Sequence, residues 1–193
     1  RSMLLGLADL IDDATTAFER YDYARALERT EAHFWAFCDD YVELVKNRAY
    51  SETDLAGAAS AKVALGLALE ALLGLFAPFL PFVTEEVWSW WKHGSIHRSS
   101  WPTSGSLRGA AAGGDPAVLA VAAEVLGEVR RAKSEAKRSM RAEVDLVHVL
   151  DTPERLAALT SAAADSKAAG VIGELPTTDG AEFVTTVQLP AET

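Results

Sequence analysis

Phe34-Trp35-Ala36-Phe37-Cys38-Asp39-Asp40-Tyr41-Val42-Glu43-Leu44-Val45-Lys46-Asn47-Arg48-Ala49-Tyr50 is the stretch whose reading decides the fold. It mixes aromatics, a cysteine, acids and bases in one helical run, and no catalytic scheme needs that combination. Read with the residues before it, it predicts a helix from about Tyr23 to Arg48, with Ala26, Thr30, Phe34, Phe37, Tyr41, Leu44 and Val45 as the inner stripe. Upstream, Leu4, Leu7, Ile11, Ala14 and Phe18 recur at helical spacing with Asp9, Asp12 and Asp13 on the other side, and Tyr21-Asp22-Tyr23 reads as a turn. Downstream, Ser51-Glu52-Thr53-Asp54 has capping-box spacing, with Asp54 replacing the usual Glu, and starts a long apolar helix ending near Phe76, ahead of Pro78. A fourth helix runs from Pro81–Thr84 to about Trp91-Lys92, with Glu85 and Glu86 suited to a helix N-terminus. Four helices with short connections predict an antiparallel bundle over residues 1–93.

Residues 94–115, rich in Gly, Ser and Ala, read as a linker. Asp115-Pro116 opens a fifth helix, with Val118, Val121, Val125 and Val129 on one face, running to about Met140. Val144–Leu150 is β-branched and apolar and predicts a strand. Thr152-Pro153 starts an alanine-rich helix closed by Gly170, Val171-Ile172 reads as a short strand, and Asp179-Gly180 as a turn. Glu182–Leu189 alternates as a strand, with Phe183, Thr185, Val187 and Leu189 on one face. The fold class is therefore mainly α: an antiparallel helical bundle, then a small α+β unit over residues 116–193 that carries a basic helix. No internal repeat is visible.

The chain has 193 residues, 49% of them hydrophobic, enough for a sizeable core. Its formal net charge of −10 argues against a general nucleic-acid coat and leaves room for a local basic patch. One cysteine, Cys38, allows no intramolecular disulfide and fits a reducing compartment. There is no basic-then-apolar leader pattern, and a start at Arg1 rather than Met predicts a piece of a longer polypeptide. Val63–Val83 has a membrane-spanning length, but Glu70, Pro78, Pro81, Gly66 and Gly74 favour a buried bundle helix.

Candidates for catalysis or metal binding fail on spacing. His93 and His97 sit four residues apart, but Gly94-Ser95 intervene and no third ligand is near. Cys38 and His33 fall on different helix faces, so a buried structural cysteine is the reading. The neighbours Asp39 and Asp40, like Glu85 and Glu86, diverge on a helix and read as solvated faces. No Gly-rich phosphate loop stands at a strand-to-helix junction. No catalytic residue and no metal ligand is predicted.

One charge feature runs against the acidic total. Arg130, Arg131, Lys133, Lys137, Arg138 and Arg141 crowd one helix end. On a helix reaching Met140, residues 130, 133, 137 and 141 share a face that can follow a phosphate backbone; the alternative is a solvated helix end favourable to the macrodipole. A thinner set is Arg25, Arg29, Lys46 and Arg48, with Phe34, Trp35 and Tyr50 as possible stacking faces for unstacked bases and core packing as the competing reading.

The Phe34–Tyr50 run resembles the anticodon-binding domain of class I aminoacyl-tRNA synthetases of the valyl, isoleucyl and leucyl group. Trp35, Phe37, Cys38, Asp39, Tyr41, Glu43 and Lys46 match the valyl pattern W-x-F-C-D-x-Y-x-E-x-x-K in order. Leu75–Trp88 is similar to the group's block ending P-F-x-T-E-E-x-W, and Ser95-Ile96-His97 with Trp101-Pro102 follow as in the group. Arg130–Val144 resembles its basic helix leading into a strand. Arg1-Ser2-Met3-Leu4 aligns with the D-R-W-x-L opening, but Ser2 replaces the aromatic.

The resemblance implies an anticodon-arm binding module of valine–tRNA ligase type, with the isoleucyl or leucyl equivalents as alternatives. It implies tRNA, a valine-accepting one, as partner. The HIGH- and KMSKS-type signatures, the editing domain and the Lys/Glu/Leu-rich coiled coil have no counterpart here, so ATP and Mg are expected of the parent and no cofactor of this piece. A catalytic domain of the same polypeptide, a cytoplasmic monomer and no membrane complete the expectation. A competing reading is a structural bundle that packs on a partner through Trp88, Trp90 and Trp91.

Overall fold

Leu4, Leu7, Ile11 and Ala14 line one side of helix α1 (Ser2–Glu19) and are all buried, while Asp9 and Asp12 stay outside. Just past the end of the helix, Tyr21 takes a left-handed backbone at φ 60°. The Tyr21 amide donates to the Phe18 carbonyl (3.0 Å) and the Asp22 amide to that of Ala17 (2.9 Å), the bond pair of a Schellman ending. Asp22 then caps helix α2 (Tyr23–Ala36), its carboxylate accepting from the Arg25 amide at 3.2 Å. The computed structural model describes residues 1–191, whose contacts divide them into two units: 1–38 with 59–114, and 39–58 with 115 onward. The fold class is the expected one, helices first and a small α+β unit after, but the division is not the expected cut near residue 93.

The signature run is helical throughout, though not uniformly α. After α2 the chain passes through a π-helical segment, Phe37–Val42, into α3 (Glu43–Ala49). The wider turn re-phases the inner stripe: Ala26 and Thr30 are buried, Phe34 and Phe37 only partly, and full burial resumes at Tyr41, Leu44, Val45 and Ala49. Cys38 is half-buried, a departure from the buried cysteine expected.

In the first unit, α1 packs against α2 and against α6 (Ser104–Ala110). Helix α4 (Leu55–Phe76) is capped by Asp54, whose carboxylate accepts from the Gly57 amide at 2.9 Å. It is long and apolar enough to cross a membrane by composition alone, but one face, Ala61, Ala64, Ala68, Ala71, Leu72 and Leu75, is buried, and Glu70 pairs with Lys92 at 2.8 Å. Val63 and Leu69 face outward, so this helix is not enclosed on all sides as expected. Helix α5 (Pro81–Ser89) buries Thr84 and Trp88.

Residues 94–114 are not a linker. Glu85 accepts from the Ser95 hydroxyl (2.9 Å) and the Ile96 amide (3.0 Å), so its carboxylate holds the following turn rather than a solvated face. Trp101 donates to the Thr15 hydroxyl (2.9 Å), and Pro102 lies so close to α4 that a Cβ on Gly74 would stand 2.6 Å from its ring. Arg108 of α6 bridges Asp9 (2.7 Å) and Asp12 (2.8 Å) of α1, and Leu107 is buried. Composition hid this because the anchoring residues are scattered among Gly, Ser and Ala.

In the second unit, α7 (Ala117–Glu135) and α8 (Pro153–Gly170) pack on each other, and α3 packs on α8. Strand β1 (Val144–Asp151) pairs in parallel with β2 (Ile172–Glu174) and β3 (Thr177–Asp179), and antiparallel with β4 (Val184–Gln188). Val121, Val125, Val129, Val144, Val147, Val149 and Leu159 form the core, and Phe183, Val187 and Leu189 pack against it from the predicted face of β4. Helix α8 ends one residue later than its glycine predicted. Val171 holds the left-handed conformation (φ 54°), while Gly170 serves close packing, since a Cβ there would meet Ile172 at 2.7 Å.

Candidate nucleic-acid interface

The basic stripe predicted over residues 130–141 needs a helix that continues to Met140, and α7 stops at Glu135. Lys137 takes φ 54°; its amide donates to the Ser134 carbonyl (3.0 Å) and the Arg138 amide to that of Lys133 (2.8 Å). This is again a Schellman ending, with lysine where glycine is usual. Residues 130, 133, 137 and 141 therefore do not share a helix face.

Lys133 departs furthest from expectation. It is 1% exposed, and its ammonium donates to the carbonyls of Met140 (3.1 Å) and Gly170 (2.8 Å). It ties the loop after α7 to the end of α8, whose last carbonyls have no partners within the helix. Burial lowers its pKa from the ordinary lysine value. Arg130 binds Asp40 (2.9 Å) and the Asp39 carbonyl, Arg131 pairs with Glu128, and Arg138 donates to the Pro190 carbonyl at 3.1 Å. Lys137 and Arg141 are exposed, with no carboxylate partner among the described residues.

The thinner set also resolves into ion pairs. Arg25 (3.3 Å) and Arg29 (3.7 Å) both reach Asp13 on the surface. Trp35 is exposed, but Glu28 and Glu31 stand seven and four residues before it on the same side of α2, and its indole donates to Glu31 at 3.5 Å. The carboxylate of Glu31 at the ring works against a phosphate arriving there. Lys46 pairs with Glu43 at 2.7 Å. Arg48 grips Asp165 of α8 with two bonds (3.0 and 2.8 Å), a clamp inside the second unit.

Four of the candidates nevertheless meet. Lys46, Arg130, Lys133 and Arg141 line a groove of about 510 Å³ between α3, the end of α7 and the end of α8, together with Glu43, Asn47 and Met140. The second unit has eighteen acidic residues against ten basic ones, so this is a local concentration of cations in an acidic body. A hollow of about 410 Å³ in the first unit contains Lys92 and Glu70, which neutralise each other. Asn47 and Met140 were not singled out from the sequence; nothing in their local pattern marks them, because the groove is built from three separate segments.

The other candidates are accounted for structurally. His97 lies 3.0 Å from the Pro81 carbonyl, and the described residues contain no group of three or more His, Cys, Asp or Glu placed to hold a metal. Asp40 serves Arg130. Trp88 is buried against Trp91, whereas Trp90 is 70% exposed.

Residues 1–148 fit the anticodon-binding domain of tRNA ligases, and the chain belongs to that family. Its full length is 56% identical to a valine–tRNA ligase of Thermobifida fusca, and 93% of it is 50% identical to that of Salinispora tropica. A third relative, the valine–tRNA ligase of Leifsonia xyli, is 49% identical over 95% of the chain. The chain spans about a fifth of the length of these relatives (22%, 22% and 21%).

Proposed function

We propose that the chain is the anticodon-arm binding module of a valine–tRNA ligase. In this reading it holds a valine-accepting tRNA while a catalytic domain of the same polypeptide joins valine to the acceptor end with ATP and Mg. The supporting observation is the family match over residues 1–148, together with valine–tRNA ligases as relatives along the whole chain. In this reading the contribution of the module is positional, fixing a reactant in place for a distant step. The lone Cys38 suits the reducing cytoplasm in which such an enzyme works, and the module is read as monomeric. Gel-shift titration of this chain against a valine-accepting transcript and its anticodon-swapped version tests the reading. A preference of at least about tenfold, or 1.4 kcal/mol, for the valine anticodon is expected; equal affinity for both overturns it.

A second role rests on the outer face of α5. Phe82 is 90% exposed, and Leu80, Val83 and Trp90 lie open near it, an apolar patch of the kind that marks an interface. We read it as a packing face for another part of the ligase. Phe82→Asp is expected to leave the module folded and to loosen that packing in the full enzyme, read by limited proteolysis; an unchanged digestion pattern counts against it.

A further inference from the structure

The groove in the second unit has a floor and a rim of different character. At the floor, the Lys133 ammonium has three N–H donors, of which Met140 and Gly170 take two; the third has no partner among the described residues. Among the described residues no carboxylate touches this ammonium, although a charge taken out of water is costly unless it is paired. At the rim, Arg141 is exposed and without a carboxylate partner among the described residues, and Arg130 and Lys46 are held in place by Asp40 and Glu43. Asn47 adds an amide donor, and Met140, 49% exposed, an apolar surface. The lining therefore has four cations against the one carboxylate of Glu43, plus room for more than a single ion.

We propose that this groove is the seat of an RNA backbone phosphate and its ribose: Lys133 donates to the phosphate from the floor, Arg141 and Lys46 close on it from the rim, and Met140 lies along the sugar. The assignment rests on the tRNA-binding reading and narrows it. The backbone is engaged by the second unit through one built pocket, and Arg131, Arg25 and Arg29, each already paired at the surface, contribute little. Phosphate contacts of this kind position an RNA without reading its bases. Arg130 reaches the groove from its place between Asp40 and the Asp39 carbonyl, so it acts as a wall that orients the approach.

The test uses the 193-residue chain and a valine-accepting tRNA transcript, with affinity measured across a salt series. Arg141→Glu and Lys46→Glu are each expected to weaken binding at least about tenfold, and each to reduce the slope of log affinity against log salt by about one contact. Arg131→Glu, outside the groove, is expected to change binding less than about threefold. Lys133→Met removes the floor donor, and circular dichroism shows whether it folds; the two rim variants decide the matter if it does not. Loss confined to the groove variants supports the site. Wild-type binding that survives both rim changes with an unaltered salt slope overturns the site and leaves the tRNA-binding reading standing. Absence of tRNA binding by the unmodified chain overturns both.

Discussion

The two units are joined internally by different means. In the first, the charged joints stay at the surface (Arg108 to Asp9 and Asp12, Lys92 to Glu70) and the inner ones are aromatic: Phe18 meets Tyr23, Phe79 and Trp101 with ring centres 5.4, 5.7 and 5.0 Å apart, and Phe34 meets Phe76 at 5.5 Å. In the second, they are charged: Arg48 to Asp165, Arg130 to Asp40, Arg155 to Asp151 and Glu124, and Lys133 to two carbonyls. The contrast separates the two uses of a basic side chain. Most arginines and lysines of the second unit hold the protein together, and those gathered in the groove are the ones placed to meet a partner as a group.

The comparison is broken most directly at its strongest aromatic joint. Phe18→Ala removes three ring contacts from a partly buried position and is expected to destabilise the first unit by about 2–4 kcal/mol. The loss should be nearly the same at low and high salt, because no charge is involved. A cost that shrinks strongly with salt, measured by urea denaturation, would show that the joint is not what the ring geometry indicates.

The charged clamp gives the complementary test. Arg48 and Asp165 are 32% and 18% exposed and share two hydrogen bonds, so their coupling is placed above that of a surface pair. A double-mutant cycle with Arg48→Ala and Asp165→Ala should return about 1–2 kcal/mol, falling as salt is raised. Coupling indistinguishable from zero would reduce the pair to decoration and weaken the claim that this unit is clamped by charge.

This contrast also explains which parts of the molecule were legible in the sequence. Apolar periodicity located α1 and β4 well, and a β-branched apolar run located β1, since a helix or strand must bury a face whatever its partners are. Aromatic order around Phe34–Tyr50 identified the family for the same reason. The basic cluster misled because its meaning depends on where α7 stops, and the stop at Lys137 has no glycine to announce it. Tyr21, Lys137 and Val171 all take left-handed conformations that composition does not signal. Residues 94–114 read as a linker because Trp101 and Arg108 are anchored by Thr15, Asp9 and Asp12, more than eighty residues away in the chain. The groove drew its lining from three segments, which spacing along one segment cannot show.

The left-handed endings provide a smaller test. A β-branched residue pays most for positive φ, so Val171→Gly should stabilise the second unit by about 1 kcal/mol despite glycine's greater freedom when unfolded. Chemical denaturation midpoints read this directly. A destabilised variant would mean that the Val171 side chain, 38% exposed, packs more than its surface position indicates.

The smallest effect concerns pH and separates the units again. His33 on α2 is partly buried, and that burial lowers its pKa below the ordinary 6.5. The unfolded chain protonates this ring near pH 6.5 while the folded unit does not, so the unfolded state binds more protons in that window. Stability of the first unit should therefore fall as pH drops below about 6.5 and level off below the folded pKa, with a slope no steeper than about 1.4 kcal/mol per pH unit. His33→Gln should flatten that part of the profile. Lys133 places the same linkage at the alkaline end of the second unit: its folded pKa lies below 10.5, so stability there rises with pH between the two values, and Lys133→Met removes the rise. Hydrogen exchange at several pH values resolves the units separately. An acid slope in the second unit that vanishes with His33→Gln would show that the two do not respond independently, and the division drawn from their internal joints would then fail.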